Sequence, residues 1–314
     1  MRYAFLPFFG LVLGSLGAGA PSQTTQPAEG NLVSRMQVPL IFPGMSTQGT
    51  ATARYEVPAG AERLELRAPG GERIEALFWP VATRPMRTPV GVPTVIYFYG
   101  NGQCLAHALD QAELFRRCGA NVLLADYLGY GLSEGQPSES NCYAVAEALY
   151  QYALTRTDID NRRLVAAGWS MGAAVAIDLA SRHSMSGLVT FSAYTSKLDL
   201  ARRQFPDMRP ETLEHRFMSI EKIGGIHSPI LLVHGRRDTL VPFAMSEELR
   251  QAARGKPLVY VPIDYAAHND LFDIGAATIE RQLQQFLVEA KPLPAAATRP
   301  STQPTAMYSR RLIR

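Results

Sequence analysis

Three side chains, far apart in the sequence, have the types and settings that serine-based acyl chemistry needs: Ser170, Asp238 and His268. Ser170 is the centre of Gly168-Trp169-Ser170-Met171-Gly172, a G-x-S-x-G run. A serine hydroxyl is a weak nucleophile, so it needs a base within reach and an acid that orients the base. Ahead of Ser170 lies the apolar stretch Arg163-Leu164-Val165-Ala166-Ala167, which reads as a buried strand. Behind it lies Ala173-Ala174-Val175-Ala176-Ile177-Asp178-Leu179-Ala180, small and apolar, which reads as a helix packed on a sheet. A strand, a sharp turn and a helix lift the hydroxyl to the top of the sheet. Side chains at Gly168 and Gly172 would crowd the neighbouring strand and helix.

The partners follow in the chain order Ser, acid, His. Pro229 to Gly235 reads as a buried strand, and Asp238 lies on the loop after it. Leu258 to Ile263 reads as another strand, and His268 lies on the loop before the last helix. All three residues thus fall after strands, at the edge where open α/β sheets place their sites. Other candidates read differently. His234, at a strand end, is a structural histidine. His107, His183, His215 and His227 are surface or structural. Asp270 and Asp273 are solvated or capping acids at the entry to the final helix, Asp264 is a weaker rival to Asp238, and Asp126 is structural. Trp169 either lines a pocket or belongs to the core.

The elements that must position these residues alternate. Arg63–Ala68 and Arg73–Trp79 read as an antiparallel pair turning at Pro69-Gly70-Gly71. Strands at Val95–Tyr99, Val122–Asp126, Leu164–Trp169 and Leu188–Phe191 then alternate with helices at Ala106–Cys118, Glu139–Thr155 and after Ser170. Strands alternating with helices predict an α/β fold. The expectation is a mostly parallel eight-stranded sheet with helices on both faces. A small helical insert is expected between Ala193 and Ser228, before the acid-bearing strand, carrying Phe205-Pro206 and Pro210.

Five separated stretches in this order resemble the α/β-hydrolase superfamily over roughly residues 60–290: Tyr97 to Gly102, Asp126 to Gly135, Gly168 to Gly172, His234 to Asp238, and His268 to Asp270. Within it the chain is similar to the small, nearly lidless, serine aminopeptidase-like branch of uncharacterised serine hydrolases. Some relatives there act on acyl esters or protein thioesters. The resemblance implies the fold and the Ser-Asp-His triad, not a substrate. It also implies an oxyanion hole of two peptide N–H groups. One is that of Met171, and the other comes from the loop after Val95–Tyr99, with Asn101 first and Gly102 second. Relatives usually carry His before the glycine of that loop, where this chain has Tyr99.

Composition limits the function classes. The 314 residues are 46% hydrophobic and 19% charged, which fits one domain with different ends. Residues 291–314 hold five cations and no acid, and residues 1–30 balance. Against an overall +3, this leaves residues 31–290 at −2, which argues against nucleic acid as a partner. No metal or cofactor motif is present, and none is needed for serine chemistry. Residues 1–20, a positive start followed by a short apolar run, read as a signal peptide or an N-terminal anchor that would touch a membrane. That makes the chain secreted or periplasmic. Residues 21–58 read as linker and N-terminal extension, residues 59–290 as the domain, and residues 291–314 as a disordered basic tail. Three cysteines, Cys104, Cys118 and Cys142, make no disulfide framework; at most one pair, Cys104 with Cys118, is compatible with them.

Two function classes remain. The first is a hydrolase of a carboxylic ester or thioester, with a small-molecule or acylated substrate. A peptidase is its alternative within the enzyme class. The second is a binding module on a retired hydrolase fold.

Overall fold

The computed structural model describes residues 38–39, 41–81, 91–204 and 213–294. The expected signal segment, the basic end of the tail, and Phe205, Pro206 and Pro210 lie outside the described residues.

Eight strands form one sheet: β1 (Glu62–Arg67), β2 (Arg73–Trp79), β3 (Thr94–Phe98), β4 (Asn121–Ala125), β5 (Leu164–Trp169), β6 (Gly187–Phe191), β7 (Ile230–Gly235) and β8 (Leu258–Ile263). Their spatial order is β1-β2-β4-β3-β5-β6-β7-β8. β1 and β2 pair antiparallel, and β2 pairs antiparallel with β4. Every pairing from β4 through β3 to β8 is parallel. The expected α/β architecture with a mostly parallel eight-stranded sheet is therefore the observed one.

Burial follows from position. β3, β4, β5, β6 and β7 are buried at every residue, as parallel strands covered on both faces must be. The edge strands β1 and β8 show mixed burial. Pro262 sits in β8, where an edge strand tolerates a missing N–H.

The helices are α1 (Leu109–Arg117), α2 (Glu139–Thr155), α3 (Met171–Arg182), α4 (Lys197–Gln204), α5 (Ser219–Ile223), α6 (Phe243–Ala252), α7 (Leu271–Ile274) and α8 (Ala276–Glu289). The helix expected over Ala106–Cys118 divides into a 3-10 turn, Leu105–Ala108, and α1. Ser138 caps α2 by accepting from the Asn141 N–H at 3.0 Å. α8 buries Ile279, Leu283, Phe286 and Leu287, one helical stripe, against the sheet. α2, α3, α5 and α6 touch in series and cover one face. α1 and α8 meet through Arg117 and Glu280 on the other. The insert before β7 is small and helical in its described part, consisting of α4 and α5.

One boundary moves. Residues 41–53, expected within the linker and extension, form two short 3-10 turns packed on the body. Phe42 is fully buried, with its ring edge on His215 and Phe217. The packed domain thus begins near residue 41 rather than 59. All three cysteines are free and buried. Cys104 precedes α1 and Cys118 follows it, beside the Glu280 carbonyl, so the helix holds the two apart.

Candidate active site

The turn from β5 into α3 shows why the sequence needs its glycines. Ser170 has φ 56° and ψ −116°, a left-handed conformation strained for any side chain. A Cβ at Gly168 would lie 2.7 Å from the Ala173 nitrogen, and one at Gly172 would lie 2.6 Å from the Tyr99 carbonyl oxygen. The start of α3 is therefore wedged against the end of β3. This places Met171, the first residue of α3, beside the loop that carries Asn101.

The structure brings the three predicted residues together. His268 Nδ1 lies 2.7 Å from Asp238 Oδ2, and His268 Nε2 lies 3.0 Å from Ser170 Oγ. A carboxylate only accepts, so Nδ1 carries the proton, leaving the Nε2 lone pair toward the serine. Asp238 and His268 are buried, while Ser170 is half-buried.

Asp238 is held on both oxygens. Oδ1 accepts from the Leu240 N–H at 3.0 Å and the Val241 N–H at 2.7 Å. Oδ2 accepts from His268 and faces His234 Nε2 at 3.3 Å. Burial alone would raise this carboxyl's pKa. The donors of His234, His268 and Val241 outweigh burial and hold it well below the usual carboxylate range. His234, read from the sequence as structural, also donates Nε2–H to the Val241 carbonyl at 2.9 Å. It therefore braces the loop after β7 and touches Asp238 together. Its position four residues ahead of Asp238, at the end of β7, is the only sequence signal of that contact.

Trp169 stacks on His268, ring centroids 5.3 Å apart and planes 29° apart. Phe272 meets its edge at 5.9 Å, and Gly100 lies on its face. It is 9% exposed, so it packs as a platform beneath the site. Asp270 accepts from the Ala267 N–H at 2.7 Å and so shapes the turn ahead of His268. Asp264 pairs with Arg236 at the surface. His183 pairs with Glu147, and His215 packs on Phe42.

Asn101 lies in the turn after β3, and Gly102 beside it has φ 88°. Among the described residues, neither the Met171 nor the Asn101 peptide N–H donates to another protein group. Tyr99 lies just ahead of this turn, and its hydroxyl donates to Asp126 Oδ1 at 3.0 Å. Asp126 also accepts from the Leu105 and Leu132 N–H groups, so it ties the loop after β3 to the loop after β4. Burial pushes the Asp126 pKa up to about 7, partly offset by the Leu132, Leu105 and Tyr99 donors. Among the described residues, no group of three or more His, Cys, Asp or Glu is placed to hold a metal ion.

A mostly parallel sheet, a strained serine at a strand-to-helix turn, and a histidine and an aspartate on later loops make the frame of an α/β hydrolase. The sequence profile of the alpha/beta hydrolase fold matches residues 93–219. An uncharacterised protein of Mycobacterium tuberculosis is 34% identical over 199 residues, 63% of this chain and 70% of the relative. The chain belongs to the α/β-hydrolase superfamily.

The human alpha/beta hydrolase domain-containing protein 17C is 34% identical over 204 residues, and the match spans 59% of that protein, less than two thirds of its length. Among solved structures, the Pyrococcus furiosus esterase Pf2001 superposes with a TM-score of 0.60 at 18% identity, covering 73% of this chain and 90% of that one. Thermogutta terrifontis esterase 2, phosphoramylated by tabun, superposes with a TM-score of 0.57 at 22% identity, covering 75% and 97%. At these identities the two structures speak to fold alone.

Proposed function

We propose that the chain is a serine hydrolase that cleaves a carboxylic ester or thioester through an acyl-enzyme. The observation that carries this reading is the unbroken chain from Asp238 through His268 to Ser170, at 2.7 and 3.0 Å, ending on a serine in strained backbone. In the proposed cycle, His268 Nε2 takes the Ser170 proton as Oγ attacks the acyl carbonyl. The Met171 and Asn101 N–H groups hold the resulting oxyanion. His268 then gives its proton to the leaving oxygen or sulfur, and the acyl group stays on Ser170. Water, deprotonated by His268, attacks the acyl carbon and releases the acid. Asp238 keeps the imidazole in the right tautomer and stabilises its positive charge throughout.

The aminopeptidase-like alternative asks for a free carboxylate to take a substrate ammonium. The two acids nearest the base are already engaged: Asp238 by four N–H contacts and Asp270 by Ala267. The ester or thioester reading makes no such demand. A retired fold used for binding alone leaves the alignment of the three side chains without a purpose. We also propose the secreted or periplasmic location implied by residues 1–20 as a signal peptide, or a membrane anchor if that segment is not cleaved. A small-molecule or acylated substrate is the proposed partner.

The test is labelling by a fluorophosphonate probe, followed by a panel of p-nitrophenyl esters and acyl thioesters. Wild type is expected to label and to turn over short acyl substrates. Ser170→Ala is expected to fold, with no labelling and no turnover. Equal labelling of the two proteins, or none of folded wild type, would refute the mechanism.

A further inference from the structure

The strap of residues 41–53 lies beside the loop expected to bind the oxyanion, and its contacts there are specific. The main-chain carbonyl of Ile41 accepts from Asn101 Nδ2 at 2.6 Å. It also accepts from Lys197 Nζ of α4 at 3.3 Å. At the other end of the same amide, Asn101 Oδ1 accepts from the Tyr130 hydroxyl at 2.7 Å. Tyr130 is fully buried, and Gly44 of the strap lies against its ring, where a Cβ would collide with the ring carbons. Four further bonds join the strap to the loop after β4: Gly49 N–H to the Gly131 carbonyl, Gly131 N–H to Thr47 Oγ1, and Gln48 Nε2 to the Ser133 and Gly135 carbonyls.

An oxyanion donor works by being aimed before the charge appears. The Asn101 peptide is poorly suited to this by itself. Gly100 and Gly102 flank it, and glycine allows the peptide plane to swing at little cost. An Asn side chain fixed at both ends removes that freedom, because rotation breaks one strong bond or the other.

We propose that the N-terminal strap belongs to the catalytic apparatus: the Ile41 carbonyl and the Tyr130 hydroxyl clamp the Asn101 side chain and so hold the Asn101 peptide N–H on the oxyanion. This deepens the hydrolase reading and rests on it. The Asn101 side chain, Tyr130 and Lys197 are positioning residues, while the Asn101 peptide N–H is the group that meets the reacting oxygen. Lys197 gives the Ile41 carbonyl a second donor, which links the clamp to the insert as well.

The experiment compares wild type, Asn101→Ala, Tyr130→Phe and the double variant in the full chain. Asn101→Ala keeps the peptide N–H and removes the clamp, whereas Tyr130→Phe removes one bond of it. The readouts are kcat, KM, the inhibition constant of a trifluoromethyl ketone whose adduct with Ser170 carries an oxyanion, and the urea midpoint. Complete loss of one oxyanion donor costs about 100–1,000-fold in kcat. Loosening one is expected to cost about 10–100-fold in kcat, with KM within about threefold. The trifluoromethyl ketone should weaken by the same factor as kcat. The double variant should be no worse than Asn101→Ala, since both act through one clamp. If Asn101→Ala fails to fold, Tyr130→Phe carries the test, with a smaller parallel loss in kcat and inhibitor affinity.

A labelled, active wild type whose clamp variants change only the urea midpoint, or change neither kcat nor inhibitor affinity beyond threefold, overturns the clamp and leaves the hydrolase standing. A folded wild type that takes up no fluorophosphonate at Ser170 overturns both.

Discussion

Adding one methyl group at Gly172 should disarm the site from behind. In Gly172→Ala the new Cβ would stand 2.5 Å from the Phe98 carbonyl carbon and 2.6 Å from the Tyr99 oxygen. Both neighbours are backbone, so no side chain can turn away. Ordinary contact begins at 3.4 Å. The start of α3 must therefore retreat by ~0.8 Å or more, at a cost of about 2–3 kcal/mol for an overpacked core. For a domain of this size that is a fall in Tm of roughly 5–10 °C.

The retreat carries Ser170 and Met171 with it. Ser170 Oγ moves from its 3.0 Å contact with His268, and the Met171 N–H moves from the loop after β3. A misplacement of about 1 Å costs on the order of 100-fold in rate. The assay is the second-order rate of fluorophosphonate labelling beside a thermal melt, with Gly225→Ala as control, because a Cβ there meets only the Lys222 oxygen at 3.5 Å. A Gly172→Ala protein that labels within threefold of wild type and melts within 2 °C of it would show that α3 is not wedged against β3.

Three further perturbations test other parts of the structure. His234→Phe leaves the buried Val241 carbonyl without its donor and Asp238 with one contact fewer; about 1–3 kcal/mol of stability should be lost, with a fall in kcat, and an unchanged kcat would confine His234 to packing. Asp126 holds its proton to about pH 7 in the folded protein against an ordinary 3.8. Its neutral form therefore adds stability that is complete below pH 3.8 and is lost as pH rises through 7. Urea stability should decline over that window by up to about 4 kcal/mol, and Asp126→Asn should flatten the decline; equal slopes in the two proteins would refute the assignment. Phe42→Ala should cost about 3–5 kcal/mol, measured by urea unfolding, and a loss under 1 kcal/mol would return residues 41–53 to the status of linker.

Sequence legibility divided along a chemical line. Ser170, Asp238 and His268 meet through their side chains, so residue type carries their message, and each stands after an apolar run that reads as a strand. The order of strand and helix gave the sheet for the same reason, since burial on both faces leaves the continuous apolar stretches of β3, β5, β6 and β7. The strap acts differently. Its contact with Asn101 is made by a peptide carbonyl, which every residue possesses, so Ile41 carries no mark of the role. Residues 41–53 also form 3-10 turns, which lack the long periodicity that betrays a helix or strand. His234 was visible as a strand-end histidine, but its second contact depends on how the loop after β7 folds back, with Val241 returning to within 2.9 Å.

The stacking of Trp169 on His268 gives the protein an optical reporter of its own base. The chain holds two tryptophans. Trp79 lies on β2 beneath Arg116, with its indole N–H on the Ala59 carbonyl, away from the three site residues. Trp169 faces the imidazole at 5.3 Å, and its own N–H has no partner among the described residues. A cation against an indole face interacts strongly with it, and an imidazolium there takes up the excited electron and dims the emission. A lasting positive charge on His268 would therefore be read in the light from Trp169, with Trp79 as a background. Binding of the trifluoromethyl ketone, whose oxyanion adduct on Ser170 would hold His268 as an imidazolium, should therefore dim Trp169, so that adduct formation can be followed in unlabelled protein with no chromogenic group.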